Sequence, residues 1–170
     1  FNEGGLLVME ILILGIGNIL LEDEGIGVHV VDRLQSRFLL PENVSVLDGG
    51  TSGMTLLDDI AACQHLLIVD CARLDAPPGT IHEFCGNAVP AFFQQRISPH
   101  QIGLSDLLAA AALLDALPAE LSLVAIEPES IELGMTMTAT GERACELALA
   151  RVVHRLGELG AAPRLIRAAA

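Results

Sequence analysis

Residues Ile11-Leu12-Ile13-Leu14 form an uninterrupted apolar run that stops at Gly15. No polar residue alternates through it, so a strand here must be covered on both faces, which is the situation of a parallel sheet with a helical layer on each side. After a loop from Gly17 to Gly25, apolar residues at Ile26, Val30, Val31, Leu34 and Phe38 recur at the spacing of one helix face, and Pro41 closes the segment. The unit then repeats. Val44 to Leu47 reads as a strand, Asp48-Gly49-Gly50-Thr51-Ser52-Gly53 as a turn, Met54, Leu57, Ile60 and Ala61 as a helix stripe, and His65 to Cys71 as a third strand. Alternation of this kind, with right-handed crossovers, predicts an α/β fold with a mostly parallel sheet.

The link from Cys71 to Thr80 holds only a short Pro-Pro-Gly stretch, too short for a helical crossover, so the next strand, Thr80 to Cys85, is expected to run antiparallel to the third. A helix is expected from Leu104 to Leu117, with Ser98 or Ser105 as its cap and Pro118 as its stop, followed by a fifth strand from Leu121 to Ile126 and a last helix over Thr138 to Leu159. One domain therefore covers residues 9–159. Residues 1–8 read as an extension upstream of Met9, and residues 160–170, rich in Ala, Pro and Arg, as a flexible tail.

Composition narrows the function. Aromatic residues are 3% of the 170, without Trp or Tyr, which argues against stacking platforms for bases. The formal net charge of -13 repels phosphate and anionic lipid, and no apolar run approaches the roughly 20 residues that span a bilayer. Nucleic acid and membrane are thus excluded as partners. The cysteines, Cys63, Cys71, Cys85 and Cys145, lie far apart with no C-x-x-C pair, and fit reduced thiols of a cytoplasmic protein. No heptad or interface signal is present, so a monomer is expected.

Gly15-Ile16-Gly17-Asn18 stands where a dinucleotide fingerprint would, but the position of its third glycine holds Leu20, and the acidic Glu22-Asp23-Glu24 would repel a phosphate. Ligands of open α/β sheets gather at the carboxyl ends of strands where the strand order reverses. Glu24, on the loop after the first strand, and Asp70, at the tip of the third, can meet there. His100, in the polar loop Ser98-Pro99-His100-Gln101-Ile102-Gly103, offers an imidazole, and carboxylates with imidazole suit a borderline divalent metal. Taken singly, each has a bland alternative: Glu24 as a solvated loop acid, Asp70 as a turn cap, His100 as a helix-start residue. Asp48 is open between a ligand contact and a tight turn. His29, His65, His82 and His154 sit inside helix or strand patterns without partner motifs. No Ser-His-Asp or Cys-His constellation is visible, since Cys71 has no assignable histidine.

Five blocks, Ile13 to Gly27, Asp48 to Gly53, Leu67 to Asp70, Ser98 to Leu104 and Glu127-Pro128-Glu129-Ser130, together resemble the hydrogenase maturation endopeptidases, in family order and across about Met9 to Leu159. The resemblance implies a three-layer α/β/α sandwich whose five-stranded mixed sheet has the order 2-1-3-5-4, strand four antiparallel. It implies removal of a carboxyl-terminal extension from the nickel-loaded large-subunit precursor of a nickel-iron hydrogenase. Glu24, Asp70 and His100 would engage the nickel and carry catalysis, and Asp48 with Gly49 and Gly50 would recognise the substrate. Two other readings stand beside it: a metal-dependent maturation chaperone that binds the precursor without cleaving it, and a nucleotide-binding enzyme.

Overall fold

The computed structural model describes residues 10–50, 53–95 and 99–166, with the side chains of 99–102 outside the description. Residues 1–8, Ser98 and the end of the tail therefore lie outside the described residues.

The first apolar run is strand β1 (Ile11–Ile16), buried throughout. Its side chains alternate as a strand requires: Ile11 and Ile13 enter one core, and Leu12, Leu14 and Ile16 enter the other. Helix α1 (Ile26–Arg37) leads through a short β2 (Phe38–Leu39) to β3 (Val44–Gly50), then α2 (Leu57–Ala62) and β4 (His65–Cys71). β5 (Ile81–Cys85), α3 (Ala88–Gln94), α4 (Pro99–Leu113), β6 (Glu120–Ile126), α5 (Ala139–Glu158) and β7 (Arg164–Leu165) complete the chain. The main sheet has the order β3-β1-β4-β6-β5. β1, β3, β4 and β6 are parallel and β5 is antiparallel to β6, which is the expected 2-1-3-5-4 order with its fourth strand reversed.

α1 and α5 pack on one face of the sheet, with Val30, Leu34, Ala148 and Val152 in their shared core. Across the exposed seam, Arg33 bridges Glu142 and Glu146 at 2.6 and 2.7 Å. α2, α3 and α4 cover the other face, where Ile60, Phe93 and Leu107 are fully buried. Among the described residues no helix is long and apolar enough to cross a membrane.

Several expectations need correction. The Leu104 to Leu117 helix begins earlier and ends sooner, at Pro99 and Leu113, so Ser105 lies inside it and caps nothing. Its proline occupies the first helical position, where a missing N–H costs no hydrogen bond. His100 consequently sits in the first helical turn by its backbone, not in a loop. α3, which contains Pro90 near its start, carried no visible stripe. The expected loose tail from Gly160 is held as far as Ile166: Ala161 is buried, and Arg164–Leu165 pairs antiparallel with Phe38–Leu39. That pairing depends on a partner more than a hundred residues away, which composition does not reveal.

Candidate active site

β1 and β4 run side by side and parallel, so their carboxyl ends emerge together. α1 starts directly over them. A Cβ at Gly27 would lie 2.2 Å from the Val69 carbonyl oxygen and 2.3 Å from that of Ile16, so only glycine lets the helix seat this low. The seat draws the preceding 3-10 turn, Glu22–Gly25, down onto the tip of β4. Glu24 and Asp70 are both buried there, Asp70 completely.

The neighbouring Cys71 reports how much charge collects at this point. Burial holds its thiol well above the ordinary range, and the negative charges of Asp70, Glu24, Asp23 and Glu127 push it the same way. A thiol so placed stays protonated and is a poor nucleophile. The acids gather around the end of β4 without a reactive cysteine among them.

Two of these acids have structural partners that fix the others. Asp23 is fully buried: Glu129 N and Ser130 N donate to its Oδ2 at 3.0 and 3.3 Å, Thr138 Oγ1 donates to Oδ2 at 2.8 Å, and Thr138 N donates to Oδ1 at 2.8 Å. Thr138 caps α5 in turn, its Oγ1 accepting from Gly141 N at 2.9 Å. The turn bearing Glu24 is thereby bound to the start of α5. Glu127, at the end of β6, accepts a hydrogen bond from Leu74 N and so ties down the link between β4 and β5. Reading the residues alone assigned no role to Asp23 or Glu127. The acidic run around Asp23 and the Glu-Pro-Glu-Ser block marked the positions, but only the folded chain shows Asp23 enclosed by four donors and Glu127 bound to Leu74 N.

His100 enters from α4. The start of this helix lies at the same end of the sheet, where the Gly103 Cα would lie 3.9 Å from a Cβ on Gly53, the residue opening the turn after β3. The structure thus brings Glu24 and Asp70 together and places the His100 backbone at the same end, with its imidazole outside the description. Among the described residues no three His, Cys, Asp or Glu side chains form a metal-holding group.

Asp48, near the end of β3, is exposed and accepts a hydrogen bond from Gly50 N at 2.9 Å. Gly50 takes φ of +43°, and a Cβ at Gly49 would meet Ile16 Cδ1 at 2.7 Å. Both glycines therefore answer to the turn and to packing, without a ligand. Asp48 and Gly50 nevertheless line a cleft of about 440 Å³ with Gly17, Asn18, Ile19 and Val28. Of the remaining histidines, His65 is buried 3.0 Å from Ser122 Oγ, the His82 ring lies tilted 4.6 Å from that of Phe84, and His154 lies 3.4 Å from Glu158. None of the four cysteines is joined in a disulfide.

A doubly wound sheet with buried acids near the carboxyl ends of adjoining strands has the layout in which open α/β folds bind their ligands. A model of the hydrogenase maturation protease family matches residues 28–155. The hydrogenase 2 maturation protease of Escherichia coli K12 is 47% identical over 154 residues, covering 89% of this chain and 93% of that protein. The solved structure of the hydrogenase maturating endopeptidase HybD from E. coli superposes with a TM-score of 0.89 at 45% identity, covering 92% of this chain and 98% of that one. A [NiFe] hydrogenase maturation protease HybD from Thermococcus kodakarensis gives 0.72 at 26% identity, covering 87% and 99%. The chain belongs to the hydrogenase maturation protease family, and it is an endopeptidase of that kind.

Proposed function

We propose that this endopeptidase removes the carboxyl-terminal extension from the large-subunit precursor of a nickel-iron hydrogenase, in the cytoplasm and as a monomer, once the precursor carries nickel. Glu24, Asp70 and His100 meet the substrate's nickel, and Asp48, Gly49 and Gly50 contact the segment being cut. The observation that carries this reading is the burial of Glu24, in the 3-10 turn before α1, and of Asp70, near the end of β4, both close enough to the Cys71 thiol to push it upward. Charge on a buried carboxylate is costly, and a cation presented by the substrate offsets part of that cost at the moment of docking.

Hydrolysis then needs a base and a water, since the one thiol at the site is held protonated. A carboxylate within reach of the water takes its proton as the water attacks the scissile carbonyl, and the proton passes to the departing amine. Nickel bound by the same acids ties this chemistry to a loaded precursor. The reading favours a peptidase over a chaperone because the relatives bear protease names. Purified enzyme mixed with nickel-loaded and nickel-free precursor tests it: only the loaded form should lose mass, and equal cleavage of both would exclude recognition of the metal. His100→Ala should abolish processing without lowering the melting temperature.

A further inference from the structure

Two loops at the rim of the site carry apolar side chains that the fold does not cover. Leu133, Met135 and Leu20 are 84, 69 and 49% exposed, and Ile19 and Ile131 are 39% exposed. Single apolar residues on a surface are ordinary, but a contiguous group marks contact with another molecule. Contiguity here follows from the backbone. Leu21 and Gly134 form a parallel bridge, so the loop that carries Ile19 and Leu20 lies directly against the one that carries Leu133 and Met135. Gly134 N donates to Leu20 O at 2.9 Å, Glu22 N to Gly134 O at 2.7 Å and Asp23 N to Ser130 O at 3.1 Å. The patch is therefore held in one shape by hydrogen bonds, with the enclosed Asp23 carboxylate beneath it.

The turn that follows Leu20 and Leu21 carries Glu24, and the bonds of Asp23 fix both loops to each other. The patch therefore adjoins the turn that carries Glu24. The chain carries a net charge of -13, with Asp23, Glu24, Asp70 and Glu127 concentrated around the end of β4, so the site attracts a cationic centre and repels an acidic one. An apolar border that excludes water strengthens the attraction of the buried acids for such a centre. We propose that Ile19, Leu20, Ile131, Leu133 and Met135 form the surface on which the folded body of the precursor docks around its metal centre. This rests on the processing reading above and adds to it where the substrate's body sits, as distinct from the extension that is removed.

The test measures initial processing rates against precursor concentration for the full chain, the double variant Leu133→Ser/Met135→Ser and the single variant Leu20→Ser. Leu113→Ser/Leu114→Ser serves as control, because these residues are 88 and 66% exposed at the far end of α4. A helix of this length places them about 20 Å from its start. The rim variants should raise KM by about tenfold, the effect of losing a central apolar contact, while kcat and the melting temperature stay near those of the wild type. The control pair should leave KM unchanged. An unchanged KM in the double variant would overturn the proposal, as would a fall in kcat alone. Sedimentation showing a wild-type dimer that becomes a monomer in the double variant would give the patch to a second copy and overturn it too. Wild-type enzyme that fails to process loaded precursor at all would strike the underlying function as well.

Discussion

Gly141→Ala sets two effects of known sign against each other. Alanine is a better helix former than glycine by about 1 kcal/mol, which favours the substitution in the first turn of α5. A methyl carbon there would lie 2.1 Å from Oδ1 and 2.6 Å from Cγ of Asp23, well inside contact distance. The carboxylate cannot swing away cheaply, because four donors hold it: Thr138 through N and Oγ1, and the backbone of Glu129 and Ser130. Hydrogen bonds to a charged group contribute about 1.5 to 3 kcal/mol each, so loosening two of them costs about 3 to 6 kcal/mol. The clash wins, with a net loss of about 2 to 5 kcal/mol. For a domain of this size that lowers the melting temperature by about 5 to 15 °C. Urea denaturation of wild type, Gly141→Ala, Asp23→Ala and the double variant would measure it. With Asp23 shortened to alanine the obstacle is gone, and Gly141→Ala should then be neutral or stabilising. A Gly141→Ala protein as stable as wild type, or equal costs in both backgrounds, would refute the steric account.

Burial, and then the positive charge of Arg155, hold His65 below its ordinary value, so the unfolded chain binds the additional proton. Stability from this residue is full above pH about 6.5 and is lost as pH falls toward the folded value. His65→Gln should flatten that decline in denaturation midpoints between neutral and mildly acidic pH, and an unchanged slope would contradict it. Cys71→Ala should still process precursor, because the thiol takes no covalent part; loss of activity with an intact fold would reinstate a cysteine mechanism. Thiol alkylation near neutral pH should reach exposed Cys85 first, while Cys63 and Cys145, pushed up to about 11, and Cys71 lag behind, as mass spectrometry of partly labelled protein would show. Asp48→Ala should change stability by no more than about 0.5 kcal/mol, as an exposed site away from the core. Its kcat/KM on loaded precursor should nonetheless fall, and an unaltered value would remove Asp48 from substrate recognition.

The sheet could be read ahead of the structure because its strands are long enough to leave a pattern. Ile11 to Leu14 and Leu66 to Val69 are apolar throughout, and the short link after Cys71 has no room for a crossover, which forces the reversal of β5. Pieces that depend on distant partners left no such trace. Phe38–Leu39 and Arg164–Leu165 pair with each other across the whole chain, and neither segment alone differs from a loop. At the site, strand order placed Asp70 near the tip of β4 and Glu24 on the loop after β1, since adjacent parallel strands end together, while the roles given to both acids came from the family resemblance. Asp23 was not legible, because nothing in a run of three acids says which side chain turns inward to be enclosed by backbone N–H groups. Asp48-Gly49-Gly50 was ambiguous for a related reason: a glycine demanded by backbone conformation or by packing against Ile16 looks the same in sequence as one demanded by a ligand.

Keeping Cys71 in its protonated form has a consequence for the traffic of nickel. A thiolate at this spot would be a soft, strongly competing ligand, able to pull nickel out of the very centre being matured. Oxygen donors hold nickel far less tenaciously than sulfur, so a pocket of carboxylates beside a silenced thiol can touch the metal and let it go. In the reading proposed for this chain, burial of that thiol at the tip of β4, with the surrounding acids acting in the same direction, keeps the soft donor out of play while the carboxylates meet the cargo.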